Sequence, residues 1–457
     1  MAIEEAQVEK PLKNSSAIVK FTGKETLLPN RKPDKPRVQL STFDLPYITF
    51  YYNQKLMVYK GVEDDLTVVA ERMKKALLEA LDEFYVLAGR LKQDEEGVLF
   101  VNCDGDGVTE AGVEVMEAEA EGLTVEMLAE GDALEDLMKE VVPYTGIMNM
   151  EGLHRALLAV QLTKLKDGLA VGCAFNHAIL DGNATWHFMT SWADLTRGEL
   201  ISTRPLHDRA LARRTCVPLS LPSSPSAHEA ADPNPAPPSA LRSRVFSFPE
   251  HLLLRLKSTA NASLYPAETK PFSTFQSLAA HTWRAVTRAR CLNPNDITVF
   301  AVFADCRSRL RPPLPDSYFG NLIQAVFTGT AAGPLLNESP AFAAGLLQTA
   351  IDAHDDKAIR TRLEEYEAKP KLFYYRDAGV NCVAVGSSPR FKVYDVDFGL
   401  GRPKRVRSGG NNKFDGMMYL YPGRDDGKGI DVELTLERKA MENLEKDFDF
   451  LPIDDVA

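Results

Sequence analysis

Cysteines are few and none stands near another. The six occupy positions 103, 173, 216, 291, 306 and 382, with no CxxC among them. This speaks against a disulfide framework and fits reduced thiols in the cytosol. Long apolar runs are missing too. No stretch approaches the roughly 18 apolar residues of a membrane span, so none is expected. The opening MAIEEAQVEKPLKN lacks the apolar core of a secretory signal, and a cytoplasmic protein is the expectation. Positive charge is in deficit: 53 Lys and Arg against 64 Asp and Glu leave a net −11. That argues against general nucleic-acid binding, but not against an anionic ligand held by local cations. What is present is ordinary globular composition, 44% hydrophobic and 26% charged, over 457 residues. Such a length suggests two or three domains.

One stretch organises the rest, LAVGCAFNHAILDGNATWHFMTSWADLTRG at 169–198. Leu169 to Phe175 reads as a buried strand, bounded upstream by the turn signal Asp167-Gly168. Asn183 is the expected cap of a helix carrying Trp186, Met189, Trp192 and Ala193, and Gly198 is placed to end it. His177 therefore falls where a buried strand gives way to a loop before a helix. Such an edge can hold a side chain in a cleft between rigid flanks. An imidazole there can act as a general base near neutral pH. The same residue also fits a satisfied core histidine with Asp181 in a turn, and the sequence leaves both readings open. A metal site is the weaker reading, because HxxxD lacks the HExxH spacing and Cys173 and His187 complete no ligand set.

The flanking chain alternates strands and helices, so each half is expected to be one mixed α/β layer. Residues 1–38 are polar. Ile48 to Tyr52 reads as an aromatic strand, 66–90 as an amphipathic helix ending near Gly89, and 117–140 as an acidic, solvated helical region. Asp104 to Asp106 lacks the bidentate Glu of a calcium loop and reads as a turn. Leu157–Leu165 and Leu169–Phe175 form a hairpin. Residues 218–239 hold seven prolines and few apolar residues, the composition of a linker. Beyond it, 243–248 reads as a strand, 272–290 as a helix capped at Ser273 or Thr274, and 297–310 as a strand that emits Asp305, Arg307 and Arg309. A further strand is expected at 318–329 and a hairpin at 417–437.

HAILDG at 177–182 and DFGLG at 397–401 stand in that order, half a chain apart. Either motif alone is weak. DFG also occurs in kinases, but neither a Gly-rich nor an HRD loop accompanies it here. Together with ADCRSRL, YFGN and STFQSLAAHTWR they resemble the plant BAHD acyltransferase family, whose members carry HxxxDG and DFGWG. The resemblance covers nearly the whole chain. Leu400 departs from the family's Trp. Within the family, stretches such as TFDLPYITFYYNQK and FGNLIQAVFTGTAAG are most similar to a plant cuticle acyltransferase.

The resemblance implies an α/β fold of two mixed-sheet domains with chloramphenicol-acetyltransferase-like architecture. Residues 1–205 would carry HxxxD, 243–457 would carry DFGLG, and 206–242 would form the crossover loop. It implies a soluble, monomeric acyl-CoA-dependent O-acyltransferase in cutin formation. Acyl-CoA would be a co-substrate, with no tightly bound cofactor, metal or nucleic acid. The expected acceptor is a long-chain hydroxy fatty acid; the alternatives are a phenolic, amine or diacylglycerol acceptor, or a non-catalytic acyl-CoA-binding protein. His177 would be the base, since an alcohol is too weak an acid to attack a thioester unaided. Asp181 would pair with Arg307 and Asp397 would steady the second half, both in structural roles. For coenzyme A the resemblance points to Ser273, Thr274, Phe275 and Gln276, to Asp305–Arg307, and to the Gly386–Pro389 turn with Ser387 and Ser388. The basic run Arg402, Lys404, Arg405, Arg407 is a further candidate, or else a solvated hairpin. Phe43, Tyr47, Phe50, Tyr51 and Tyr52 are either the wall of an acceptor channel or core.

Overall fold

The computed structural model describes residues 18–61, 66–104, 111–130, 134–230, 241–262, 264, 270–424 and 428–451. Of the Asp104–Asp106 turn only Asp104 lies within them, and most of the polar N-terminal stretch lies outside.

Two six-stranded sheets carry the fold. The first runs, in spatial order, Lys20–Leu27, Val113–Ala120, Leu158–Leu165, Gly168–Phe175, Asn53–Lys60 and Arg405–Arg407. All its pairs are antiparallel except Val113–Ala120 with Leu158–Leu165. The second runs Ile323–Ala331, Ile297–Asp305, Cys382–Val385, Met417–Pro422, Ile430–Glu437 and Leu241–Phe248. Its second and third pairs in that order are parallel and the other three antiparallel. Arg37–Gln39, Leu99–Asn102 and Arg90–Gln93 make a small third sheet. Both large sheets are mixed, as the alternating pattern predicted.

Hydrophobic burial joins the two halves rather than stopping at a boundary. One continuous core takes Met57, Tyr59, Leu77, Phe175, Phe188 and Trp192 from the first half. It takes Phe319, Val393, Phe398 and Tyr419 from the second. A further core, with Trp283, Phe300, Val383 and Leu434, lies wholly in the second half. The first sheet depends on the second half as well, because Arg405–Arg407 pairs with Leu56–Val58 as its edge strand. The Pro-rich stretch is not bare linker over its described part. Leu219 is buried, its N–H donates to Gly97 O, and Pro225–Ala230 is a short helix.

Three local expectations are corrected. Ile48 to Tyr52 is not a strand: Leu45–Tyr47 is a 3-10 turn, and the strand begins at Asn53. Pro46, the second residue of that turn, favours it because its fixed φ suits a helical first turn. The helix from Leu66 ends at Glu83, and Tyr85–Ala88 is a separate 3-10 turn. The acidic region 117–140 opens with the end of the strand Val113–Ala120, in which Val113, Val115 and Ala120 are buried. Glu117 and Glu119 alternate there with the buried Ala118 and Ala120, and two short helices, Val125–Ala129 and Leu134–Val141, follow.

Candidate active site

The strand Gly168–Phe175 is buried along its whole length and delivers His177 two residues past its end. The helix Gly182–Thr196 begins straight after the motif. Its cap is Asp181, not Asn183: the Asp181 carboxylate accepts Ala184 N–H at 3.0 Å. Asn183 instead donates to Asp316 O at 2.9 Å. Gly198, at φ +80°, follows the helix end.

His177 is held on several sides. Its N–H donates to Asn149 Oδ1 at 2.8 Å, and its carbonyl accepts Asn321 Nδ2–H at 2.8 Å. Its ring lies flat on Tyr47, with centroids 4.6 Å apart and planes 9° apart. Nδ1 sits 3.0 Å from Leu180 O. A carbonyl only accepts, so Nδ1 carries the proton and the lone pair of the neutral ring is on Nε2. Nε2 has no hydrogen-bond partner among the described residues. The half-buried ring thus presents a free basic nitrogen in a fixed orientation.

Burial is the chief cause that draws the His177 pKa below the ordinary 6.5, with Lys55 adding to it and Asp181 opposing. A lowered value keeps Nε2 unprotonated through neutral pH and somewhat below. We therefore expect log kcat/KM to stay level as pH falls past neutrality and to drop only below the ordinary histidine range. An acidic limb that breaks above 6.5 would contradict this placement of the base.

Asp181 turns away from the imidazole. It is fully buried, and Arg307 Nη1 and Nη2 grip its two oxygens at 2.8 and 3.1 Å. Leu322 N–H adds a bond at 3.0 Å. With Ala184 N–H these fill the carboxylate. Arg307 is enclosed as well and also donates to Asp305 Oδ1 at 3.0 Å and Tyr318 O at 3.0 Å. A direct coenzyme A contact does not fit an arginine so enclosed and so occupied. The structure assigns it to the framework, a correction to one of its two expected roles.

Asp397 stands at the far end of the helix. Its Oδ1 accepts Gly399 N–H at 2.7 Å and Gly401 N–H at 2.8 Å, closing a turn on two positive-φ glycines. Its carbonyl accepts a hydrogen bond from Arg197, at the C-cap, and Phe398 meets Trp192 edge-on at 4.6 Å between centroids. A 15-residue helix is about 22 Å long, so DFGLG lies well away from His177. Leu400 packs against the main core.

The remaining candidates lie in the second half. Ser273 caps the helix Thr274–Ala289 in a capping box with Gln276, whose Oε1 accepts Ser273 N–H at 2.8 Å. Phe275 packs on the second core. Ser387 and Ser388 follow the strand Cys382–Val385, which runs parallel to Ile297–Asp305. Arg290, at the other end of the helix, donates to Asn381 O at 2.8 Å, beside the start of that strand. Asp305 therefore ends one of these two parallel strands at its carboxyl end, and Ser387–Ser388 lie just past the carboxyl end of the other. That is where open α/β sheets bind ligands. The basic run is split, with Arg402 and Lys404 exposed and the rest in the strand Arg405–Arg407. Arg405 and Arg407 are buried, and Arg405 pairs with Asp431 at 2.7 Å. Of the five aromatics, Tyr47 stacks on His177, Phe43 joins a small core with Tyr318, and Tyr52 is buried.

Several residues that hold the motif had no role in the sequence reading. Asn149 Nδ2 also donates to Tyr47 O at 2.8 Å. Asp44 accepts Asn321 Nδ2–H at 3.1 Å and Arg209 Nη1–H at 2.7 Å. Arg209 in turn donates to Ile179 O at 2.6 Å, inside the motif. A Cβ at Gly320 would lie 2.0 Å from Arg209 Nη1, so a side chain there would push the guanidinium off Asp44 and Ile179. The visible signal was Asn321 itself, a polar residue in the apolar run FGNLIQ. Among the described residues no group of three or more His, Cys, Asp or Glu is placed to hold a metal, and no helix is long and apolar enough to cross a membrane.

A histidine oriented between two mixed sheets matches what comparison with known proteins finds. The fold is that of vinorine synthase (TM-score 0.73, 21% identity, 93% of this chain and 96% of that one). It is equally that of F. sporotrichioides TRI101 complexed with coenzyme A and T-2 (TM-score 0.74, 21% identity, 91% and 98%). In sequence the chain is 53% identical to BAHD acyltransferase DCR of Arabidopsis thaliana, over 92% of its length and 90% of the relative's. It is 34% identical to hydroxycinnamoyltransferase 2 of Oryza sativa subsp. japonica, over 91% and 97%. The model of the Transferase family matches residues 17–451. From motif order, fold and sequence together, the chain belongs to the Transferase family, among the BAHD acyltransferases.

Proposed function

We propose that this acyltransferase moves an acyl group from a coenzyme A thioester to the hydroxyl of a long-chain hydroxy fatty acid, in cuticle polyester formation. The observation that carries the chemistry is the His177 ring, with Nδ1–H tied to Leu180 O and Nε2 open. Nε2 takes the hydroxyl proton as the oxygen attacks the thioester carbon. The tetrahedral species then expels the thiolate, which takes the proton back from the imidazolium. Ester and free coenzyme A leave, and no covalent enzyme intermediate forms. Ser273 to Gln276 and Ser387–Ser388 are the proposed side for the donor. The same reading divides the chain at 1–205 and 243–457, with 206–242 crossing between them.

The acceptor follows from the resemblance to a cuticle acyltransferase and from the 53% identity to DCR. The rival, a phenolic acceptor, has the 34% identity to a hydroxycinnamoyltransferase behind it. Each buried methylene contributes ~0.8 kcal/mol, so a long chain gains affinity quickly. We expect a C16 hydroxy acid to outcompete a short hydroxy acid and a phenolic by at least about tenfold in kcat/KM. Competition with one common acyl-CoA, read by mass spectrometry, measures it. Preference for the phenolic would replace this acceptor and leave the chemistry at His177 as it stands.

A further inference from the structure

Lys55 is a lysine in the interior, and most of its hydrogen-bonding capacity meets no partner among the described residues. It lies on the strand Asn53–Lys60 and is 4% exposed. Its ammonium has three N–H donors, and one of them meets Asn53 Oδ1 at 3.0 Å. It also sits 5.8 Å from the centre of the Tyr419 ring, across the seam between the two sheets. The carboxylate that acts on it, Glu433, is already taken. Glu433 is ion-paired with Lys413 and accepts Ser408 Oγ–H at 3.0 Å and Ser408 N–H at 3.2 Å. An ammonium left this bare in the interior is costly, and an apolar side chain would fill the same space without the cost.

Lys55 belongs to the same side of the first sheet as the motif. It pairs with Cys173, and Asn53 pairs with Phe175. Residues 53, 55, 57 and 59 share one face, and Met57, Tyr59, Cys173 and Phe175 all enter the main core there. His177 follows Phe175 by two residues, and the Lys55 charge bears on its imidazole. Burial lowers Lys55 to about 8, so at neutral pH it still carries most of its charge.

We propose that Lys55 is a specificity residue that receives a carboxylate carried by the acceptor, so that the preferred acceptor is a free hydroxy acid rather than its ester. This rests on the acyl-transfer reading above and adds the charge state of the acceptor to it. The carboxylate would supply the acceptor that the two remaining N–H donors do not find among the described residues.

The test is the ratio of kcat/KM for a hydroxy acid to that for its methyl ester, with one acyl-CoA donor. We expect wild type to favour the acid at least about tenfold, in keeping with the cost of leaving a buried charge unpaired. Lys55→Met should bring the ratio close to one, and Lys55→Arg should keep it above that of Lys55→Met. A purely structural role, or an influence on His177 alone, moves both acceptors together and leaves the ratio unchanged. A wild-type ratio near one, or an unchanged ratio in Lys55→Met, overturns the proposal. So does discrimination that appears only between a dicarboxylic acyl-CoA and its half-ester, which would put the carboxylate on the donor. If the acceptor is instead phenolic, the same ratio taken on a phenolic acid and its ester still decides the role of Lys55.

Discussion

Replacing His177 by alanine should cut turnover by roughly 10²- to 10⁴-fold, the usual worth of a positioned general base. The loss should fall on kcat, because the hydroxyl still binds but no group takes its proton. Neighbouring supports stay in place: Asn321 bonds the main chain of residue 177, Arg209 holds Ile179, and Asp181 caps the helix. The variant should accordingly melt within a few degrees of wild type. Thiol release with a fixed acceptor and acyl-CoA measures the rate, and circular dichroism the fold. A variant that keeps more than a tenth of the wild-type rate would remove His177 from the chemistry.

Asp181→Asn and Arg307→Met should do the reverse and damage stability first. Breaking one partner of a buried pair costs ~3–5 kcal/mol, against a total of about 5–15 kcal/mol for a folded domain. The asparagine case is instructive because the shape is kept. Four donors converge on Asp181: Ala184 N–H, two Arg307 nitrogens and Leu322 N–H. An amide offers one oxygen and turns its own N–H groups toward some of those donors. Melting temperature and soluble yield should fall together with activity. An Asp181→Asn enzyme that melts like wild type yet is inactive would instead place the carboxylate in the reaction.

How far this was legible in the sequence depends on the reach of each contact. The unbroken apolar run Leu169–Phe175 announced a buried strand, and the spacing of Trp186, Met189 and Trp192 announced a helix. Those two elements alone put His177 on an edge. Residue patterning could not show Asn149, Tyr47 or Arg209 at the motif. Each comes from a distant part of the chain, and packing alone brings them together. The aromatic stretch from Phe43 failed for a local reason. Its composition says strand, but Pro46 sets a helical turn and sends Tyr47 to the histidine while Phe43 goes to another core. The acidic region before Val141 joins a strand end to two short helices, and charge content alone does not separate them.

The edge strand Arg405–Arg407 has a bearing on how the molecule can be taken apart. A fragment ending before the second half would leave Leu56–Val58 with its outward N–H and C=O groups unpaired, on a strand whose side chains are apolar and buried in the whole molecule. Such an open edge invites pairing with another copy. The two halves made separately are therefore expected to aggregate, while the same two pieces made together should reassemble by strand donation into a nicked but functional whole.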